Sequence, residues 1–123
     1  MELKQIAILL FYVMFLYSGI NKIFTFQKKV NTLGKKTNLP YTINVLGMIG
    51  VIMLEILGSL IIIAHSLNLI KIPKLIVKLT YILYLMFLVV VTFLYHPPTD
   101  KKIIPFLSNL TTFSGLLYLY QDL

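Results

Sequence analysis

Ile43 to Ala64 reads INVLGMIGVIMLEILGSLIIIA, twenty-two residues in which Glu55 is the only charged one. About 20 residues of helix, at 1.5 Å each, match the hydrocarbon thickness of a bilayer. The stretch therefore reads as a membrane-spanning helix with a carboxylate close to its middle. An ionisable group at that depth costs about 2.5–3.5 kcal/mol on insertion scales, and it normally faces the protein interior with a partner or a wet cavity. At 100° per residue, Gly47, Val51, Glu55, Gly58 and Ile62 share a face about 80° wide. Glu55 is thus expected to point inward, beside glycines that admit a neighbouring helix.

Three more apolar runs flank this one. Residues 5–24, QIAILLFYVMFLYSGINKIF, form a first span that turns polar at Ser18, Gly19, Asn21 and Lys22. Lys4 followed by an apolar run resembles a signal peptide. The run is long for one and lacks a small-x-small cleavage site, so an uncleaved helix is expected. Residues 75–95 and 103–120 give spans three and four, with the second span placed at 43–64. Pro40, Pro73 and the pair Pro97-Pro98 separate the spans, because proline cannot continue a helix. Pro105 falls in a first turn, where its missing N–H costs little. Tyr81, Tyr84 and Tyr95 lie towards the two ends of span three, as in the aromatic belts of membrane proteins. The first connection, TFQKKVNTLGKKTNLPYT, is a basic solvated loop, or a short helix lying in the interface.

The bulk composition agrees. The chain has 123 residues, room for one domain, of which 59% are hydrophobic and 12% charged. Soluble proteins lie nearer 45–50% and 25%. The net charge of +7 comes from lysines that fall between the apolar runs, a pattern of topology signals and headgroup contacts. It does not suggest nucleic-acid binding. Cysteine is absent, which excludes disulfides, thiol redox pairs and thiolate metal sites within the chain.

Four spans with short connections predict an all-α, up-down, four-helix membrane bundle with both termini on one side. Connections one and three, with their flanks, carry Lys22, Lys28, Lys29, Lys35, Lys36, Lys101 and Lys102, seven of the eleven lysines. Lys4, Lys71, Lys74 and Lys78 make up the other four. The excess places connections one and three in the cytoplasm by the positive-inside rule. Which membrane is involved is not encoded.

Depth along antiparallel helices selects partners for Glu55. It lies about 2 Å to the terminal side of its span's centre; Asn109 lies about 4 Å to the other side, and Asn21 and Lys22 about 10 Å along the same direction. A lysine stem about 6 Å long reaches inward from there. The expected polar cluster is Glu55, Lys22, Asn21, Asn109 and Ser108. The expected helix-packing positions are Gly19, Gly47, Gly58 and Gly115. The alternative for Asn109 and the stripe Ser108, Thr111, Thr112 is simple helix–helix hydrogen bonding. His65 and His96 end spans on opposite faces, about 30 Å apart, which excludes a two-histidine metal or haem site. No phosphate loop, HExxH motif or activated nucleophile is present, so no metal and no catalytic residue is assigned.

Three segments carry a family resemblance. Gly19-Ile20-Asn21-Lys22, Glu55-Ile56-Leu57-Gly58-Ser59-Leu60 and Ser108-Asn109-Leu110-Thr111-Thr112-Phe113-Ser114-Gly115-Leu116-Leu117 resemble, in order, segments of helices one, two and four of the DoxX family. The resemblance covers nearly the whole chain. It departs in the longer basic first connection and in Ser59, where a second glycine is common. It implies a small multi-pass membrane protein, in some relatives tied to quinone-dependent sulfur oxidation or to membrane oxidoreductase complexes. Two functions follow as expectations. One is a membrane subunit of a redox complex, with a quinone or proton site at Glu55 and an oxidoreductase partner. The other is a structural or adaptor protein, without catalysis of its own, whose polar cluster only fixes helix packing; a homo-oligomer suits that case. A small transporter is the lesser option, because four-helix multidrug transporters carry their glutamate in helix one and use tryptophan, which this chain lacks.

Overall fold

The computed structural model describes residues 2–95, 103–121 and 123. The chain is all-α. Its helices are α1 (Leu3–Phe24), α2 (Phe26–Thr37), α3 (Tyr41–Ser66), α4 (Lys74–Tyr95) and α5 (Ile103–Gln121). α1, α3, α4 and α5 are each long and apolar enough to cross a membrane. Their bounds lie within two residues of the four spans expected from the apolar runs. The exposed surface carries Leu10, Met14, Leu46, Leu83, Met86 and Val90. Water would penalise that surface and lipid would not, so the architecture is that of a small multi-pass membrane protein. His96 and the pair Lys101 and Lys102 lie outside the described residues.

Two compact units make up the chain, residues 1–73 and 74–123. In the first, α1 and α3 run antiparallel. Near one end Gln5 Nε2 donates to the Ser66 carbonyl at 3.0 Å, while its Oε1 accepts the Glu2 backbone N–H at 3.0 Å. One side chain thus caps the start of α1 and ties it to the end of α3. Ile8, Tyr12, Phe15 and Gly19, spaced three or four apart, form the buried stripe of α1.

The first connection holds a twelve-residue helix, α2, with only Val30 fully buried. Asn38 ends it in the left-handed region (φ 56°), and its N–H bonds the Gly34 carbonyl at 2.9 Å. Pro40 then starts α3, so the helical path breaks where proline requires it. Buried Asn44 locks this corner. It accepts from Thr37 Oγ1 at 2.8 Å and donates through Nδ2 to the Leu39 carbonyl at 2.9 Å.

Between Leu54 and Gly58, α3 widens into a single π turn. The Leu54 N–H that enters it is shared between the Gly50 and Val51 carbonyls. Such turns are rare and recur at functional positions. No periodicity in the apolar run announces this one.

The second unit is the α4–α5 pair. Asn109 Nδ2 on α5 donates to Thr92 Oγ1 on α4 at 3.2 Å. Leu88, Val89, Phe93, Phe106, Leu110 and Phe113 line an apolar groove around Thr92.

Candidate functional site: an ion pair at the π turn

Glu55 lies inside the π turn and is 2% exposed. Lys22 Nζ stands 2.7 Å from its Oε1, as both a hydrogen bond and an ion pair. The Lys22 side chain remains 19% exposed, and its ammonium also donates to Ser18 Oγ, one turn back on α1. The site is therefore asymmetric. The anion is enclosed, and the cation bridges it to a hydroxyl and to the outside.

The backbone explains how the ammonium arrives. Gly19 is buried where α1 meets the π turn: a Cβ built there would stand 2.7 Å from Ile56 Cγ1 and 3.1 Å from Glu55 Cβ. The missing side chain lets the two helices approach at the level of Glu55. Lys22 lies three residues further along α1, about 4.5 Å nearer the surface. Its stem folds back over that distance to the carboxylate. Glycine at 19 and lysine at 22 thus act as one device, the first setting the helix separation that the second spans.

Breaking such a pair by removing one partner costs about 3–5 kcal/mol when the remaining charge is buried. That cost falls mostly on Glu55, because Lys22 retains Ser18 and partial exposure. Chemically, the pair presents a charged donor beside a carboxylate acceptor. It can bind a group that needs both, or pass a proton between carboxylate and solvent.

Asn21 is exposed, on the opposite side of α1 from Gly19, and its carbonyl accepts from Thr25. Asn109 belongs to the second unit and bonds to Thr92. Ser108 is exposed, and its carbonyl accepts from Thr112 Oγ1 at 3.2 Å. Thr111 and Ser114 likewise return their hydroxyls to carbonyls four residues back. Those hydroxyls satisfy their own helix rather than reaching across to another. Of the glycines expected to pack helices, Gly19 makes the close approach and Gly58 is buried within the π turn. Gly47 is exposed, with Leu33 Cδ2 3.9 Å from a built Cβ, and Gly115 is partly buried.

One member of the site does not emerge from the sequence comparison of depths. Ser18 was visible as part of a polar helix end, but its role as a second acceptor for Lys22 needs coordinates.

Comparison with protein-family models, with curated proteins and with solved structures finds no match for the chain.

Proposed function

We propose that this chain is a DoxX-like membrane subunit of a redox complex, and that Lys22 and Glu55 form its quinone- and proton-handling site. The observation that supports it most is the 2.7 Å ion pair set in a π turn inside an apolar helix. Helix packing alone could be served by uncharged amides, without an ionisation cost. A quinone head needs a donor at its carbonyl oxygen, and the corresponding quinol needs an acceptor for its O–H. The donor here is the Lys22 ammonium and the acceptor the Glu55 carboxylate, so the residue types fit. When bound, a quinone would supply two-electron, two-proton redox chemistry; an oxidoreductase partner would take or give the electrons. Lys22, the more exposed member, meets the incoming oxygen. Glu55, enclosed behind it, would take or return one of the two protons and the solvent that reaches partly exposed Lys22 the other, with Ser18 holding the ammonium while the pair is open. The excess of lysines around connections one and three supports a cytoplasmic position for this end of the site.

The test is a titration of a short-chain quinone into the purified chain in nanodiscs. Glu55→Gln should lose at least tenfold in affinity while keeping the helical content of the parent. Equal affinities in parent and variant would sink the proposal.

A non-enzymatic adaptor is the second candidate, favoured by the Gly19 approach, which makes the pair a clasp between α1 and α3. That role predicts that a Lys22→Met, Glu55→Met double variant supports the protein's assembly. The redox role predicts that the same variant assembles but cannot bind quinone.

A further inference from the structure

We propose that α2 is a binding helix for the phosphodiester headgroups of anionic phospholipids, and that Lys28, Lys29 and Lys35 are its ligating residues. At 100° per residue these three, with Lys36, fall in an arc of about 120° on α2. Phe26, Val30, Leu33 and Thr37 lie on the opposite arc. The structure orients that opposite arc inward. Val30 is 1% exposed, Leu33 Cδ2 lies against Gly47, and Thr37 bonds Asn44. The lysine arc consequently turns away from α1 and α3. Lys28 and Lys35 are exposed and stand about 10 Å apart along the helix, with Lys29 between them and partly covered.

Charge complementarity selects the occupant. The whole chain has four acidic residues, Glu2, Glu55, Asp100 and Asp122, and Glu55 is engaged by Lys22. Among the described residues, no carboxylate pairs with Lys28, Lys29 or Lys35. The first turn of α2 contains no acidic side chain. Position then separates a lipid from a soluble anion. α2 joins the end of one membrane span to the start of the next, and its flanks expose Phe24, Leu39 and Tyr41. Exposed aromatic and aliphatic groups beside a lysine face are the pattern of a helix lying at headgroup level. There each lysine favours an anionic surface by about fivefold at low salt. This site is separate from the Lys22–Glu55 pair and stands whether or not that pair binds a quinone.

The experiment uses the full chain in phosphatidylcholine bilayers, with trace spin-labelled phosphatidylglycerol or spin-labelled phosphatidylcholine. The motionally restricted fraction of each label gives their relative association. The proposal expects phosphatidylglycerol to be preferred by about fivefold or more. A Lys28→Gln, Lys29→Gln, Lys35→Gln variant should fall to the phosphatidylcholine value. The corresponding triple arginine variant should keep the preference, which separates lost charge from a damaged fold. In 1 M salt, where the screening length is about 3 Å, the parent's preference should collapse. Equal association of the two labels with the parent chain overturns the proposal, as does an unchanged preference in the glutamine variant. Displacement of the lipid by millimolar inorganic phosphate would assign the face to a soluble anion and also overturn it.

Discussion

Gly19→Ala and Gly50→Ala make the same chemical change in two membrane helices, and the structure predicts opposite outcomes. At Gly19 the new methyl would sit 2.7 Å from Ile56 Cγ1 and 3.1 Å from Glu55 Cβ. Carbon atoms prefer about 3.5–4.0 Å. The first contact is therefore short by about 1 Å, and Glu55 Cβ is fixed to backbone and cannot swing away. α1 must move outward, and overpacking of that kind costs about 1–3 kcal/mol. At Gly50 a built Cβ meets nothing within 4 Å. Both changes gain the same helix propensity, about 0.8–1.0 kcal/mol in soluble hosts, so the gain cancels in the comparison. Gly19→Ala should be less stable than Gly50→Ala by about 1–3 kcal/mol in reversible unfolding in mixed micelles. Adding Ile56→Ala to Gly19→Ala should recover part of the loss, because it removes the nearer clash. Equal stabilities within about 0.5 kcal/mol would refute the close approach, and with it the account of how Lys22 reaches Glu55.

Other outcomes follow from the same geometry. Lys22→Met should destabilise by about 3–5 kcal/mol by leaving the Glu55 carboxylate enclosed without its cation, whereas Lys22→Met with Glu55→Met should return close to the parent. A double-mutant cycle in micelles measures that coupling, and additive single effects would contradict a buried pair. Asn44→Ala removes the acceptor of the Thr37 hydroxyl and the donor to the Leu39 carbonyl at a part-buried corner. It should cost about 1–3 kcal/mol and speed amide exchange in α2 more than in the middle of α1.

The four spans were legible because apolar length is a direct readout of bilayer thickness, and the prolines mark where each helix stops. α2 was half legible. Its lysines repeat with a helical period, but twelve residues with one buried valine do not distinguish an ordered helix from a solvated loop. The Lys22–Glu55 pairing followed from depth alone, since a lysine about one turn from its helix end has few places to put its charge. The bond that Asn109 makes to Thr92 within its own unit was not foreseen from depth. Depth says nothing about rotation about a helix axis. The glycines illustrate the same limit. Gly19 and Gly47 both read as packing positions in the sequence, and only the packing of α1 on the π turn gives one of them a close approach. The π turn itself was hidden because five apolar-rich residues, Leu54–Gly58, satisfy an α-helical pattern equally well.

In the proposed role, Glu55 responds, through Lys22, to a quinone bound in this membrane protein. Infrared difference spectroscopy of the reconstituted chain, recorded on adding a short-chain quinone, tests it most directly. The account predicts a change in a carboxylate band that disappears in Glu55→Gln and is altered in Lys22→Met. A difference spectrum with no carboxylate contribution, or one that survives in Glu55→Gln, would contradict it.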